Sequence, residues 1–88
     1  MVHLEIDLLS GVAEKLGEGR RLTPAERAEV LRIAQGFACK DSASAAKVSL
    51  ETIRARRKRI YCKLGVAGAG EMLSALLAIA LELLAPPM

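Results

Sequence analysis

Residues 47–65 read KVSLETIRARRKRIYCKLG. Ser49 is a natural N-cap, and a helix from Leu50 to Leu64 would stop at Gly65. At about 100° of rotation per residue, Ile53, Ile60 and Leu64 share one narrow stripe, which marks the buried side. Arg57 lies at the edge of that stripe and is expected to snorkel outward on its aliphatic stem. The opposite face carries Arg54, Ala55, Lys58, Arg59 and Cys62. A small residue flanked by long cations suits a DNA major groove. Ala55 permits close approach, and Arg54 and Lys58 can reach guanine N7 and O6. Cations on a helix face are also found on plainly solvated surfaces, so the flanking sequence has to decide.

The segment from Lys47 to Lys63 holds seven cations against Glu51, a net +6, while the rest of the chain carries −3. The overall +3 therefore hides one concentrated basic helix. Just before it, ACKDSASAAK (residues 38–47) reads as a short, weak helix of small residues. Ala38 stands at its start, where a capping Ser or Asp would help. A short helix, a tight turn at Lys47-Val48 and a capped basic helix together predict a helix-turn-helix whose second helix is the reader.

Upstream, Thr23-Pro24-Ala25-Glu26 is the clearest start signal in the chain. Thr23 fits the N-cap, Pro24 the first helical residue and Glu26 the reciprocal capping-box partner. Val30, Ile33, Ala34 and Phe37 follow at helical spacing, and Gly36 is a natural stop for a helix over 22–36. Gly17 to Arg21 reads as a linker. Residues 2–16 carry two periodicities. Val2, Leu4, Ile6 and Leu8 alternate as in a strand, whereas Ile6, Leu9, Val12 and Leu16 recur as in a helix. A helix over 4–16 is favoured, because a lone strand would lack a pairing partner.

These residues bear a family resemblance. Leu22 to Val66, continuing into Glu71 and Met72, resembles the LuxR-type (GerE-like) helix-turn-helix of bacterial transcription regulators. The matching pieces are Leu22-Thr23 with Glu26-Arg27, Val30-Leu31, Ala34-Gln35-Gly36, Lys40-Asp41, Ser49 to Ile53 and Lys63-Leu64-Gly65-Val66. The resemblance implies an all-α domain of four helices, here with an extra N-terminal helix. It also implies a sequence-specific DNA-binding regulator in the bacterial cytoplasm, with double-stranded DNA as partner. Arg54, Ala55 and Lys58 fall on the family's base-contacting positions. Lys40, Thr52, Arg57 and Lys63 fall on its phosphate-gripping positions, and Arg56, replacing a frequent His, is assigned to phosphate as well. The chain departs from the family at Ser42 and Ala46, which replace larger apolar residues. It departs again at Lys47, which replaces a turn glycine, and at the Gly68-Ala69-Gly70 loop.

The last helix, predicted over Glu71–Ala85 and ended by Pro86-Pro87, reads EMLSALLAIALELLA. It is apolar on all sides but one narrow stripe, so it must be buried on three sides. A homodimer interface is expected from Met72, Leu73, Leu76, Leu77, Ile79, Ala80, Leu83 and Leu84. The alternative is that residues 4–16 cover this helix within the chain.

Composition bounds the remainder. Eighty-eight residues make one domain, divided into an N-terminal helix and linker (1–21) and a helix-turn-helix with its dimerisation helix (22–88). Hydrophobic residues reach 52 % but aromatics only 2 %, which favours helices over β-sandwiches and disfavours an RNA reader built on base stacking. Two cysteines 23 positions apart and one histidine exclude a CxxC motif and a Cys/His zinc site; Cys39 and Cys62 are read as thiols rather than a redox switch. No catalytic constellation is complete, so no enzyme activity, metal or cofactor is expected. The start VHLEIDLL does not resemble a signal peptide, and Met72–Ala85 is short for a membrane span. The 21 residues before Leu22 are too few for a receiver or ligand-binding domain. A rival reading is a protein-interaction module, in which a degenerate helix-turn-helix binds another regulator through the last helix. RNA polymerase is a further candidate partner.

Overall fold

The computed structural model describes residues 2–85, with side chains from Ser10 onward. Five helices follow in order: α1 (Val2–Gly17), α2 (Pro24–Ala34), α3 (Cys39–Ala46), α4 (Leu50–Leu64) and α5 (Ala69–Leu84). No strand occurs among the described residues. The helical periodicity of the N-terminal segment prevails over its alternation. Pro86-Pro87 and the side chain of His3 lie outside what is described.

Local signals set the boundaries. Thr23 Oγ1 accepts from the Glu26 N–H at 3.1 Å, and Glu26 Oε1 accepts from the Thr23 N–H at 2.8 Å, a complete capping box with Pro24 in the first turn. Gly36, at φ 90°, takes the chain out of α2 in a conformation that a side chain resists. The short α3 has no side-chain cap at Ala38, as its sequence predicts. Gly65 ends α4 in the left-handed region at φ 70°, and the Val66 N–H returns to the Tyr61 carbonyl at 3.0 Å.

The core joins α1, α2, α4 and α5 through Val12, Ala13, Leu22, Val30, Ile33, Ile60, Leu64, Met72 and Leu76. The α1 helix packs on both α2 and α5, so the N-terminal segment docks within its own chain. The α3 helix packs chiefly on α4. This arrangement leaves α4 anchored on one side by α2 and α3 and open on the other. Among the described residues no single helix is long and apolar enough to cross a membrane.

Candidate nucleic-acid interface

The turn between α3 and α4 is built on Lys47, at φ 58° and ψ 44°. This is the left-handed conformation that glycine adopts freely and lysine does not. The Val48 N–H closes the turn on the Ala43 carbonyl at 3.0 Å. Ser49 then caps α4, its Oγ accepting from the Thr52 N–H at 3.1 Å and lying 2.9 Å from the Thr52 hydroxyl. The Thr52 side chain is thereby held in the first turn, beside the unpaired N–H groups that favour an anion.

Along α4 the exposed face holds Arg54, Ala55, Lys58, Arg59 and Cys62. Arg54 reaches back to Glu51 at 3.0 Å in a solvated pair, which holds it weakly. Lys58 makes no ion pair among the described residues. Arg56 is half-buried, and Lys40 is exposed on the second residue of α3.

Two cations expected at phosphates are engaged by acids of α2, Arg57 turned inward and Lys63 at the surface. Arg57 does not snorkel out: its Nε donates to Glu29 Oε2 at 2.8 Å, and its Nη2 donates to the Phe37 carbonyl at 2.8 Å and to Ser42 Oγ at 3.0 Å. The Arg57 side chain is 12 % exposed and that of Glu29 is fully buried. A buried carboxylate requires a counter-charge, and two guanidiniums supply it with one bond each, Arg57 to Oε2 and Arg32 to Oε1 at 2.9 Å. Arg57 therefore positions α4 against α2 and α3. Lys63 Nζ likewise donates to Glu26 Oε1 at 2.8 Å, with Arg59 Nε 3.7 Å from the other oxygen. Burial alone would push the Glu26 carboxyl up. The hydrogen bonds from Lys63 and from the Thr23 N–H, with the charge of Lys63, outweigh it and hold the carboxyl below its usual range. The Tyr61 hydroxyl is pushed up by its burial, against the lowering effect of Arg57.

Compared with family models, with curated proteins and with solved structures, the chain matches none.

Sequence reasoning missed three residues that organise the site: Glu29, Ser42 and the second role of Glu26. Their signal was present. Glu26 and Glu29 fall four residues before Val30 and Ile33, on the buried side of α2, where an acid demands a partner. Ser42, which replaces a larger apolar residue of the resembled family, is fully buried and accepts the Arg57 bond. Both cysteines are free, Cys39 half-buried and Cys62 exposed. Among the described residues no cluster of three potential metal ligands occurs.

The expected dimer residues divide into two sets. Met72 and Leu76 are core residues of their own chain, 0 % and 5 % exposed, and Ile79 and Ala80 pack partly against that core. The interface assignment is corrected for Met72 and Leu76, because α1 and α2 already cover that side of α5. Leu73, Leu77, Leu83 and Leu84 stay exposed, joined by Leu81, which the sequence reading left out. Leu73, Leu77, Leu81 and Leu84 follow one another at spacings of three and four and form one uncovered stripe.

Proposed function

We propose that this chain is a sequence-specific DNA-binding transcriptional regulator of the LuxR type, acting in the bacterial cytoplasm. In this reading α4 enters the major groove. Arg54 and Lys58 contact base edges, and Ala55 admits the helix backbone close to the bases. Lys40 and Thr52 meet phosphates on either side and set the register. Arg56 adds a phosphate contact, and Lys63 adds charge from its place beside Glu26. A homodimer formed through the exposed α5 leucines places two copies of α4 in successive grooves of an inverted repeat, about 34–36 Å apart.

The observation that carries this reading is the two-sidedness of α4. Its inner side is pinned by Ile53, Ile60, Leu64 and the Arg57–Glu29 pair, so its outer side presents Arg54, Ala55 and Lys58 on a fixed support. A loose basic helix would hold no such register. The test is selection of binding sites from random duplexes by the purified protein. Enrichment of one inverted-repeat motif is the expected result. Failure of a folded dimer to enrich any motif overturns the reading.

One observation favours a second reading. The leucine stripe of α5 could equally receive the apolar helix of a related regulator, which would make the chain a protein-interaction module. Under that reading the selection fails while the protein forms a defined complex with its partner.

A further inference from the structure

The connection between α1 and α2 is tightly wound rather than slack. The Arg20 N–H turns back to the Gly17 carbonyl at 3.1 Å, Gly19 sits at φ 72°, and Arg21 sits at φ 59°, a conformation that a side chain rarely takes. Two crossed contacts tie this turn to the far end of α4. Arg20 Nη1 donates to the Leu64 carbonyl at 3.0 Å, one of the carbonyls that the helix end leaves without an internal partner. Lys63 Nζ donates to the Arg21 carbonyl at 3.2 Å. Both arginines are exposed. Arg20 has used one of its five N–H donors, and Arg21 has used none on any described residue. Glu18, the nearest acid in sequence, bonds to neither.

The rotation of α4 shows where this turn stands relative to the exposed face. Counting about 100° per residue from Ile53, the Arg54–Ala55–Lys58 face centres near 150°. Arg57, which holds α3 through Ser42, lies near 40° on one flank. Lys63, which holds the turn, lies near 280° on the other, in line with Arg59 and Thr52. The α3 helix and the Gly17–Arg21 turn thus stand on opposite flanks of the outward face. A helix lying in a major groove has a phosphate strand on each side, in a groove about 12 Å wide. The turn sits at the end of α4, about 15 Å along the axis from Arg54, where the helix leaves the groove and meets a bordering strand.

We infer that Arg20 and Arg21 form a second phosphate clamp, gripping the DNA strand on the flank of α4 opposite to α3. The inference rests on the DNA-binding reading and adds residues outside the helix-turn-helix itself. The clamp contributes affinity without base preference, and its strained backbone holds two cations where a slack linker would let them wander.

The experiment measures binding to a random-sequence duplex long enough for two half-sites, about 24 base pairs, over a series of salt concentrations. The parent is compared with Arg21→Gln, with Arg20→Gln/Arg21→Gln and with Arg20→Lys/Arg21→Lys. Each lost phosphate contact reduces the slope of log affinity against log salt by about 1. The expected slopes are therefore shallower by about 1 in Arg21→Gln and about 2 in the double glutamine variant, with the lysine variant retaining the parental slope. The motif preferred in selection stays the same. Arg21→Gln leaves the Arg20–Leu64 bond in place, so it decides the matter alone if the double variant unfolds. A parental slope in a folded glutamine variant overturns the clamp and leaves the DNA reading standing. A parent that binds no duplex at all overturns both.

Discussion

Arg57 on α4 and Glu29 on α2 face each other across the helix interface, Nε to Oε2 at 2.8 Å, with the carboxylate fully buried. The pair links the expected reader helix to the helix that opens the domain. Through Ser42 and the Phe37 carbonyl it also links both to α3. Its worth lies in orientation more than in stability, because desolvating two charges offsets most of their attraction. Removing one partner is another matter. Glu29→Ala strips the largely buried Arg57 guanidinium of its carboxylate and is expected to destabilise the fold by about 3–5 kcal/mol. Arg57→Ala is expected to cost less, because Arg32 still pairs with the buried carboxylate. Replacing both by Met restores most of that loss. Urea unfolding of the two single variants and the double one measures the cycle. Single variants within about 0.5 kcal/mol of the parent would show the pair to be solvated instead.

Acid stability follows from Glu26. Its carboxyl titrates below the usual value of 4.5 in the folded state. The contribution is therefore fully present above the unfolded value and is lost as pH falls through the folded one. Unfolding free energy is expected to stay level from neutral pH down to about 5 on this account, then to drop below about 4.5. Glu26→Gln removes that part of the drop while lowering the plateau at neutral pH, because Lys63 and the Thr23 N–H lose a charged acceptor. Equilibrium unfolding of both proteins at a series of pH values checks it. Parallel acid profiles would mean that Glu26 is not the titrating group.

How much of this was legible in the residues differs between elements. The capping box at Thr23, the Ser49 cap and the Gly65 stop are consequences of a few neighbouring side chains, and they were readable one by one; at Lys47 the residues gave a tight turn, and its left-handed conformation came from the structure. The exposed face of Arg54, Ala55 and Lys58 followed from rotation about one axis. What sequence rotation alone did not resolve was the side of each edge residue. Arg57 lies near the margin of the stripe, where a turn of a few tens of degrees separates solvent from core. The decision belonged to Glu29, 28 positions away. The same holds for Met72 and Leu76. A helix apolar nearly all round has no hydrophobic contrast to say which side meets its own domain, and the docking of α1, with α2 and α4, chose it.

The weak α3 can be strengthened at two points without touching the exposed face. Lys47 at φ 58° bears a left-handed strain, and Lys47→Gly is expected to stabilise the fold by up to about 1 kcal/mol. Ala38→Ser supplies the missing cap and adds about 1 kcal/mol. Thermal unfolding should show each rise and their near-additivity, since the two sites lie at opposite ends of the helix. No gain from Ala38→Ser would indicate that the α3 N-terminus is already satisfied by solvent.

Base reading and phosphate gripping separate experimentally. Lys58→Ala is expected to relax preference at one position of the selected site, at a cost of about 1–3 kcal/mol on the preferred base. Lys40→Ala is expected to weaken all sequences alike and to reduce the salt slope by about 1. Lys63 is a poorer probe, because its Glu26 bond makes part of any loss a matter of folding. If both Lys58→Ala and Lys40→Ala bind every duplex as the parent does, α4 does not lie in the groove as proposed.

The leucine stripe of α5 makes the last prediction. Leu73, Leu77, Leu81 and Leu84 are 41 %, 61 %, 61 % and 65 % exposed, on a helix whose other side is already core. Water contact with such a stripe is unfavourable by about 25 cal/mol per Å² of apolar surface, and pairing with a second copy in a two-fold arrangement removes it from both chains at once. The proposed homodimer should therefore appear in sedimentation equilibrium. Leu77→Glu/Leu81→Glu should convert it to a monomer with unchanged helical circular dichroism, because neither residue contributes to the core. Loss of the dimer should also abolish the preference for an inverted repeat over a single half-site, since the second reader helix is no longer tethered at the matching distance. A parent that sediments as a monomer at all concentrations, or a glutamate variant that still pairs, would exclude this face as the two-fold contact.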